Sequence, residues 1–233
     1  MKEVTVSDLF KAKIHFGHLN RFVSPKMFKY IHTVNNKMSI INLDYTLKFM
    51  RNALNFIEKI ILNNGVILFV GTKRQASGLI KVYSEKMNMP YVNFRWLGGS
   101  LTNYKTIRKS ILTLDELEDK FNKNKLIHLT KKEILNEQKK LKKLKLNFDG
   151  IRKMTKLPDA LFILDVKYER IALLEAKKLL IPIIGIVDTN SNPDDVDYFI
   201  PGNDDSTDSI NFYLNIISKH ILKLQEGKKR KHK

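Results

Sequence analysis

The chain has no cysteine. That absence excludes a disulfide framework, a thiolate metal centre and a cysteine nucleophile, and it suits a protein that works where it is made, in a reducing compartment. No run of apolar residues approaches the roughly 20 that a membrane-spanning helix needs. Residues 1–20 carry charges and histidines in place of an apolar signal core, and an Arg- and Ser-rich transit segment is also missing, so no secretory or import leader is expected. Phosphate-binding glycine loops are absent as well. The stretch GTKRQASG, from Gly71 to Gly78, fits neither G-x-G-x-x-G nor G-x-x-x-x-G-K-[ST], which removes the best sequence argument for a nucleotide enzyme. Tryptophan occurs once, at Trp96. Acidic residues are outnumbered: 24 Asp and Glu face 42 Lys and Arg, a net charge of +18 over 233 residues. Such an excess favours a polyanionic partner, nucleic acid ahead of a membrane surface. Hydrophobic residues make up 43% of the chain, enough for a core.

What is present alternates between strand and helix patterns. Residues 4–14 read as a short amphipathic helix with Val6, Leu9, Phe10 and Ile14 on one face. HFGHLNRFVSPKM follows, with His15 and His18 around Gly17 and with Arg21 and Lys26 near Pro25. No Cys or neighbouring carboxylate completes a metal site there, so stacking or hydrogen bonding is the expected role of the histidines. Two short strands, 28–33 and 38–42, are expected across Asn35-Asn36, then a helix over 45–62 capped by Asp44. The apolar run Val66 to Val70 predicts a strand buried on both faces. It leads into Thr72, Lys73, Arg74 and Gln75, where Thr72 and Gln75 have capping-box spacing and the two cations flank a helix start suited to phosphate.

The stretch YVNFRWLGGSLTNYKT sets Arg95 beside Trp96 and a Gly98-Gly99 pair, followed by Lys105, Arg108 and Lys109. Guanidinium, indole and ammonium groups together suit an RNA-facing loop. Burial of Trp96 in a core is the competing reading, and Tyr91, Phe94 and Leu97 nearby favour it. Residues 101–157 hold sixteen Lys or Arg against seven Asp or Glu. Tyr104, Ile107, Ile111 and Leu114 form one helical stripe; Ile134, Leu141, Leu144 and Phe148 form another behind a Thr130–Glu133 capping box. The two stripes predict an antiparallel, coiled-coil hairpin whose helices pair mainly with each other. On that reasoning the hairpin is a separable insertion between 1–100 and 158–226, and deleting it should leave a folded sheet. Lys139, Lys140, Lys142 and Lys143 lie outside the seam, with Lys145 beyond them. No acidic residue follows Glu137 on the second helix, so phosphate contact is preferred over ion pairing for them.

Strands follow at 160–164 and 183–187, and a last short one is expected at 198–200. From Asp188 to Ser209 there are seven Asp and no Lys or Arg. Asp188, Asp194, Asp195, Asp204 and Asp205 admit a metal or acid–base reading. With no histidine or nucleophile near them in sequence, turn and cap roles are preferred. A final helix is expected to about Glu226, with residues 227–233 as a mobile basic tail. Strands alternating with helices imply a parallel sheet in an α/β fold, with ligands beyond its carboxyl ends. The candidates are an RNA-binding structural component, a merely basic nucleotide enzyme, or a free RNA-binding regulator.

HFGH with VSPKM, ILFVGTKRQA, FRWLGGSLTNYKTIRKSI, LTKKE, LPDALFILD and IPIIGIVDTNSNPDDVDYFIPGNDD occur in that order. Together they closely resemble bacterial and organellar ribosomal protein S-two, from about residue 4 to 224. The resemblance implies a flavodoxin-like, three-layer parallel sheet in strand order 2-1-3-4-5, with a coiled-coil hairpin inserted after the second strand. It implies no enzymatic activity, a seat on small-subunit rRNA beside other ribosomal proteins, and a role in docking ribosomal protein S-one. It implies no membrane, no small-molecule substrate, and no cofactor or metal-binding residue beyond structural magnesium accompanying rRNA. The expected location is a ribosome in the cytoplasm, or in an organelle matrix or stroma. VSPKM departs from the family's usual Asn-Pro start, and a basic tail stands where many relatives carry an acidic extension.

Overall fold

A computed structural model of the protein describes residues 4–123 and 130–231. Its centre is a five-stranded parallel sheet of β4 (Ile67–Val70), β5 (Tyr91–Val92), β6 (Ala160–Ile163), β7 (Ile183–Val187) and β8 (Tyr198–Pro201), ordered β5-β4-β6-β7-β8. Counted within this sheet alone, that is the order 2-1-3-4-5. The central strands are buried on both faces, as their unbroken apolar runs require.

Strand periodicity divides the core in two. Ile67, Phe69, Ala160, Phe162, Ile184 and Ile186 point to one side, against α2 (Leu43–Leu62), α3 (Arg74–Met87), α7 (Thr207–Lys231) and Leu9 of α1 (Val6–Lys11). Leu68, Val70, Leu161, Ile163 and Ile183 point to the other, against α6 (Arg170–Lys178), Trp96, Leu101 and α4 (Tyr104–Asn122). Phe148 at the end of α5 (Lys131–Phe148), with Ile151 and Met154 beyond it, joins this second layer. The architecture is therefore three-layered. The two inserted helices pair with each other, as expected, and the buried residues at the base of that pair join the cluster on this side of the sheet. Ile107, Ile111 and Leu114 are buried in this cluster, on the helix that follows directly from the Trp96 loop. Gly150 shows how close the return approach is: a Cβ there would overlap the Tyr91 carbonyl.

A second, antiparallel sheet stands in front of the strand ends: β1 (Phe16–Leu19), β2 (Ile31–Asn35) and β3 (Met38–Ile41), ordered β1-β3-β2. Sequence patterning expected the last two strands but not β1, whose HFGHL has no alternation. It is held by tertiary contacts: the His18 amide donates to Thr189 Oγ1 at 2.9 Å, beyond β7. Gly17 permits that approach, since a Cβ would sit 2.6 Å from the Thr189 methyl.

Several local expectations change. Residues 28–30 belong to a 3-10 segment, Pro25–Tyr30, because Pro25 fixes a turn-like start. Asn42 caps α2 in place of Asp44, whose amide donates to Asn42 Oδ1 at 2.9 Å. Thr72 does not cap α3: its amide and hydroxyl donate to Glu169 Oε1 at 2.6 and 2.7 Å. The Thr130–Glu133 capping box forms as expected. The helix at the C-terminal end passes Glu226 and runs to Lys231, so residues 227–231 are helical and not a loose tail. Lys228 secures it by donating to the Ile61 carbonyl at 2.6 Å and Asn64 Oδ1 at 2.7 Å. The last two residues of the expected tail lie outside the described residues.

Candidate nucleic-acid interface

The basic residues divide by what surrounds them. Arg21, Arg74, Arg95, Lys105, Lys109, Lys139, Lys142 and Lys143 are exposed, and among the described residues none of them makes an ion pair. Arg21 lies over the Phe22 ring, 4.6 Å from its centroid, which joins a cation to a stacking surface. On α5 the helical period turns Lys139, Lys142 and Lys143 away from the seam residues Leu141 and Leu144. These lysines point outward because the apolar stripe fixes the rotation of the helix.

Others are engaged. Lys26 pairs with Asp194. Lys140 lies 3.9 Å from Glu137. Arg108 is half-buried and donates to the Met154 carbonyl at 3.1 Å. Lys145 pairs with Glu118 of α4, a partner that reading α5 alone could not supply, so ion pairing does account for it. Arg152 joins the same group, 2.5 Å from Glu118 and 2.6 Å from Asp115. The carboxyl of Glu118 lies below its ordinary range through its hydrogen bonds to Lys145 and Arg152.

Lys73 does not stand free at a phosphate-ready helix start. It bonds Asp165 at 2.8 Å, pairs with Asp205, and lies 3.9 Å from Asp204. Burial opposes its charge, but the hydrogen bonds to Asp165 and Asp205 more than offset this and raise its pKa. Around it, the carboxyl ends of β4, β6, β7 and β8 converge with β1. His18 Nδ1 is 3.0 Å from Asp188 Oδ2, and its Nε2 is 3.3 Å from Asp205 Oδ2 and 3.0 Å from Asn190 Nδ2. The hydrogen bond to Asp188, followed by the charges of Asp188 and Asp205, raises the His18 pKa against the effect of burial. Burial also raises the carboxyls of Asp204 and Glu169. The acidic stretch is thus supplied with cations by distant segments, which no local reading of residues 188–209 could find. Among the described residues, two groups have ligand atoms within 4.8 Å of one another: His18, Asp188, Asp205, and Asp165, Asp204, Asp205. His15 takes the stacking role expected of it, parallel to Phe10 with ring centroids 4.3 Å apart.

Trp96 belongs to the core, with 7% exposure. Its indole N–H donates to Glu175 Oε1 at 3.1 Å. The same carboxylate accepts from the amides of Gly99, Leu101 and Thr102 at 2.7, 2.9 and 3.1 Å, and from Thr102 Oγ1 at 3.2 Å. Burial pushes the Glu175 carboxyl up, and these donors together reverse that, leaving it below its ordinary range. The Gly98-Gly99 bend wraps an internal anion. Glu175 gave no sequence signal, because it lies on α6 and resembles any helical glutamate.

These features define a basic α/β protein: its strand-end crevice is lined by internal pairs, and among the described residues its unpaired cations face outward. The chain belongs to the ribosomal protein S2 family, whose model matches residues 9–223. It is 51% identical over 222 residues to the small ribosomal subunit protein uS2 of Hahella chejuensis (strain KCTC 2396), covering 95% of this chain and 88% of that protein. It is 50% identical over 227 residues to the small ribosomal subunit protein uS2 of Marinobacter nauticus (strain ATCC 700491 / DSM 11845 / VT8), covering 97% and 91%.

Proposed function

We propose that this protein is a structural constituent of the small ribosomal subunit that binds small-subunit rRNA with its outward cations. The observation that carries this reading is the unpaired row Lys139, Lys142 and Lys143 on the solvent side of α5. Lys105 and Lys109 on α4, with Arg95, Arg74 and Arg21, extend the contact. Lys73 and Arg108 serve mainly to hold the protein together, Lys26 is paired with Asp194, and Lys140, exposed with only a 3.9 Å contact to Glu137, stands with the outward lysines of α5. Magnesium in this reading accompanies the RNA. Docking of ribosomal protein S-one is the second part of the proposal and rests on the family resemblance, as does the ribosomal location.

The test is sedimentation of a lysate in magnesium, followed by rRNA binding across a salt series. Co-migration with the small subunit and a steep fall of affinity with salt are expected. A protein that stays at the top of the gradient, or a flat salt series, would overturn the reading. For S-one, subunits carrying and lacking this protein should retain and lose S-one respectively; equal retention rejects that part.

A further inference from the structure

The outer face of α6 carries apolar side chains that the described residues leave uncovered. Inward, the helix buries Ala172, Leu173, Glu175 and Ala176. Outward, Ile171 and Leu174, with Tyr168 just before the helix, recur three residues apart and are 58%, 53% and 61% exposed. Leu180, just past the helix, is 91% exposed. Single exposed apolar residues are ordinary, whereas a row of them along one helix marks an interaction surface.

Leu180 is the sharper observation. The Leu180 amide donates to the Lys177 carbonyl at 3.1 Å, and the Ile181 amide donates to the Ala176 carbonyl at 3.0 Å. These two bonds end a helix on a left-handed residue. Leu180 holds that place with φ of +55°. Glycine is the usual residue there, because a Cβ is crowded in left-handed backbone. Within this chain the leucine brings strain without packing. The face is also rimmed by charge of one sign. Lys167, Arg170 and Lys178 are exposed, and among the described residues none of them makes an ion pair. The nearby acids are turned inward: Glu169 accepts from Thr72, and Glu175 accepts from the Trp96 loop.

We propose that the outer face of α6 docks an acidic amphipathic helix of a protein partner. Its apolar ridge would lie on Tyr168, Ile171, Leu174 and Leu180, and its carboxylates would meet the cationic rim. Amphipathic helices bind through anchors at such helical spacing. A second copy of this chain would bring the same rim and a net charge of +18 to the contact, so like charges oppose it. The surface is separate from the lysines of α5 and does not depend on their meeting rRNA.

The experiment uses the full chain and a labelled synthetic peptide of roughly 15 residues, long enough to form a helix, with Leu at helical spacing and Glu on both flanks. A control peptide carries Lys in place of Glu. Fluorescence anisotropy should show binding of the acidic peptide and not of the control. Leu180→Gly and Leu174→Gln should each weaken it by roughly tenfold or more. Leu180→Gly should do so with a thermal midpoint equal to or above that of the wild type, because glycine relieves the left-handed strain. Leu62→Gln, exposed on α2, should bind as the wild type does. Arg170→Gln with Lys178→Gln should flatten the salt dependence of binding. No binding, equal binding of the two peptides, or unchanged binding in Leu180→Gly and Leu174→Gln would overturn the proposal. A concentration-dependent dimer that Leu174→Gln abolishes would give this face to a second copy. A fall of rRNA affinity in the same folded variant would give it to RNA. Either result would also reject the acidic helix.

Discussion

At the scale of single residues, Glu175 and Trp96 do more than any exposed lysine. Glu175→Ala leaves the Trp96 indole and three backbone amides without their acceptor. A loss of about 3 kcal/mol or more in urea unfolding is expected, since buried donors without partners are costly. Trp96→Ala should cost roughly 3–5 kcal/mol, with RNA affinity falling only as the folded fraction falls. Binding lost at unchanged stability would instead place Trp96 on RNA. Glu175 also sets a pH dependence. Its folded carboxyl titrates below its unfolded value, so its contribution is present above about pH 4.3 and is lost as the pH falls through the folded value. Wild type should lose stability relative to Glu175→Gln across that acid window, as measured by urea midpoints at successive pH values.

At the scale of elements, the inserted helices divide into a base and a distal part. Ile107, Ile111, Leu114, Phe148, Ile151 and Met154 are buried in the sheet's second layer. Deleting 101–157 should therefore lower the urea midpoint strongly, because this face of β4 and β6 would keep only α6 and the Trp96 loop as cover. Replacing only 120–138 with a short linker should keep the native circular dichroism and a cooperative transition. Identical behaviour of the two deletions would mean that the base is dispensable. On α5, Lys139, Lys142 and Lys143 should act through charge alone. Changing all three to Gln should leave thermal stability within about 0.5 kcal/mol and reduce the magnitude of the salt slope of rRNA binding by about one unit per lost phosphate contact. An unchanged slope would show that these lysines meet no phosphate.

At the scale of the whole molecule, the net charge of +18 is spread unevenly. The strand-end crevice consumes its cations internally, while the inserted helices expose theirs. Association with rRNA should therefore weaken by about a thousandfold between 50 and 200 mM salt if roughly six phosphates are contacted. Filter binding across that range measures it, and a drop below about tenfold would mean that charge is not the main attraction.

The parallel sheet and its strand order were legible before any coordinates. Continuous apolar runs mark strands buried on both faces, and the family motifs order them. The Thr130–Glu133 cap was legible too, because a capping box spans only four residues. Periodicity also fixed the outward rotation of Lys139, Lys142 and Lys143. Only the tertiary structure decided which charges are spent. His18 meets Asp188 and Asp205 across more than 160 residues, Lys73 meets Asp165 and Asp205, Lys145 meets Glu118, and Glu175 receives the Trp96 loop. A local pattern reports how one element turns its side chains. The pairing of a charge depends on which elements the fold brings to the same place, and here the sheet gathers the ends of β4, β6, β7 and β8 around β1.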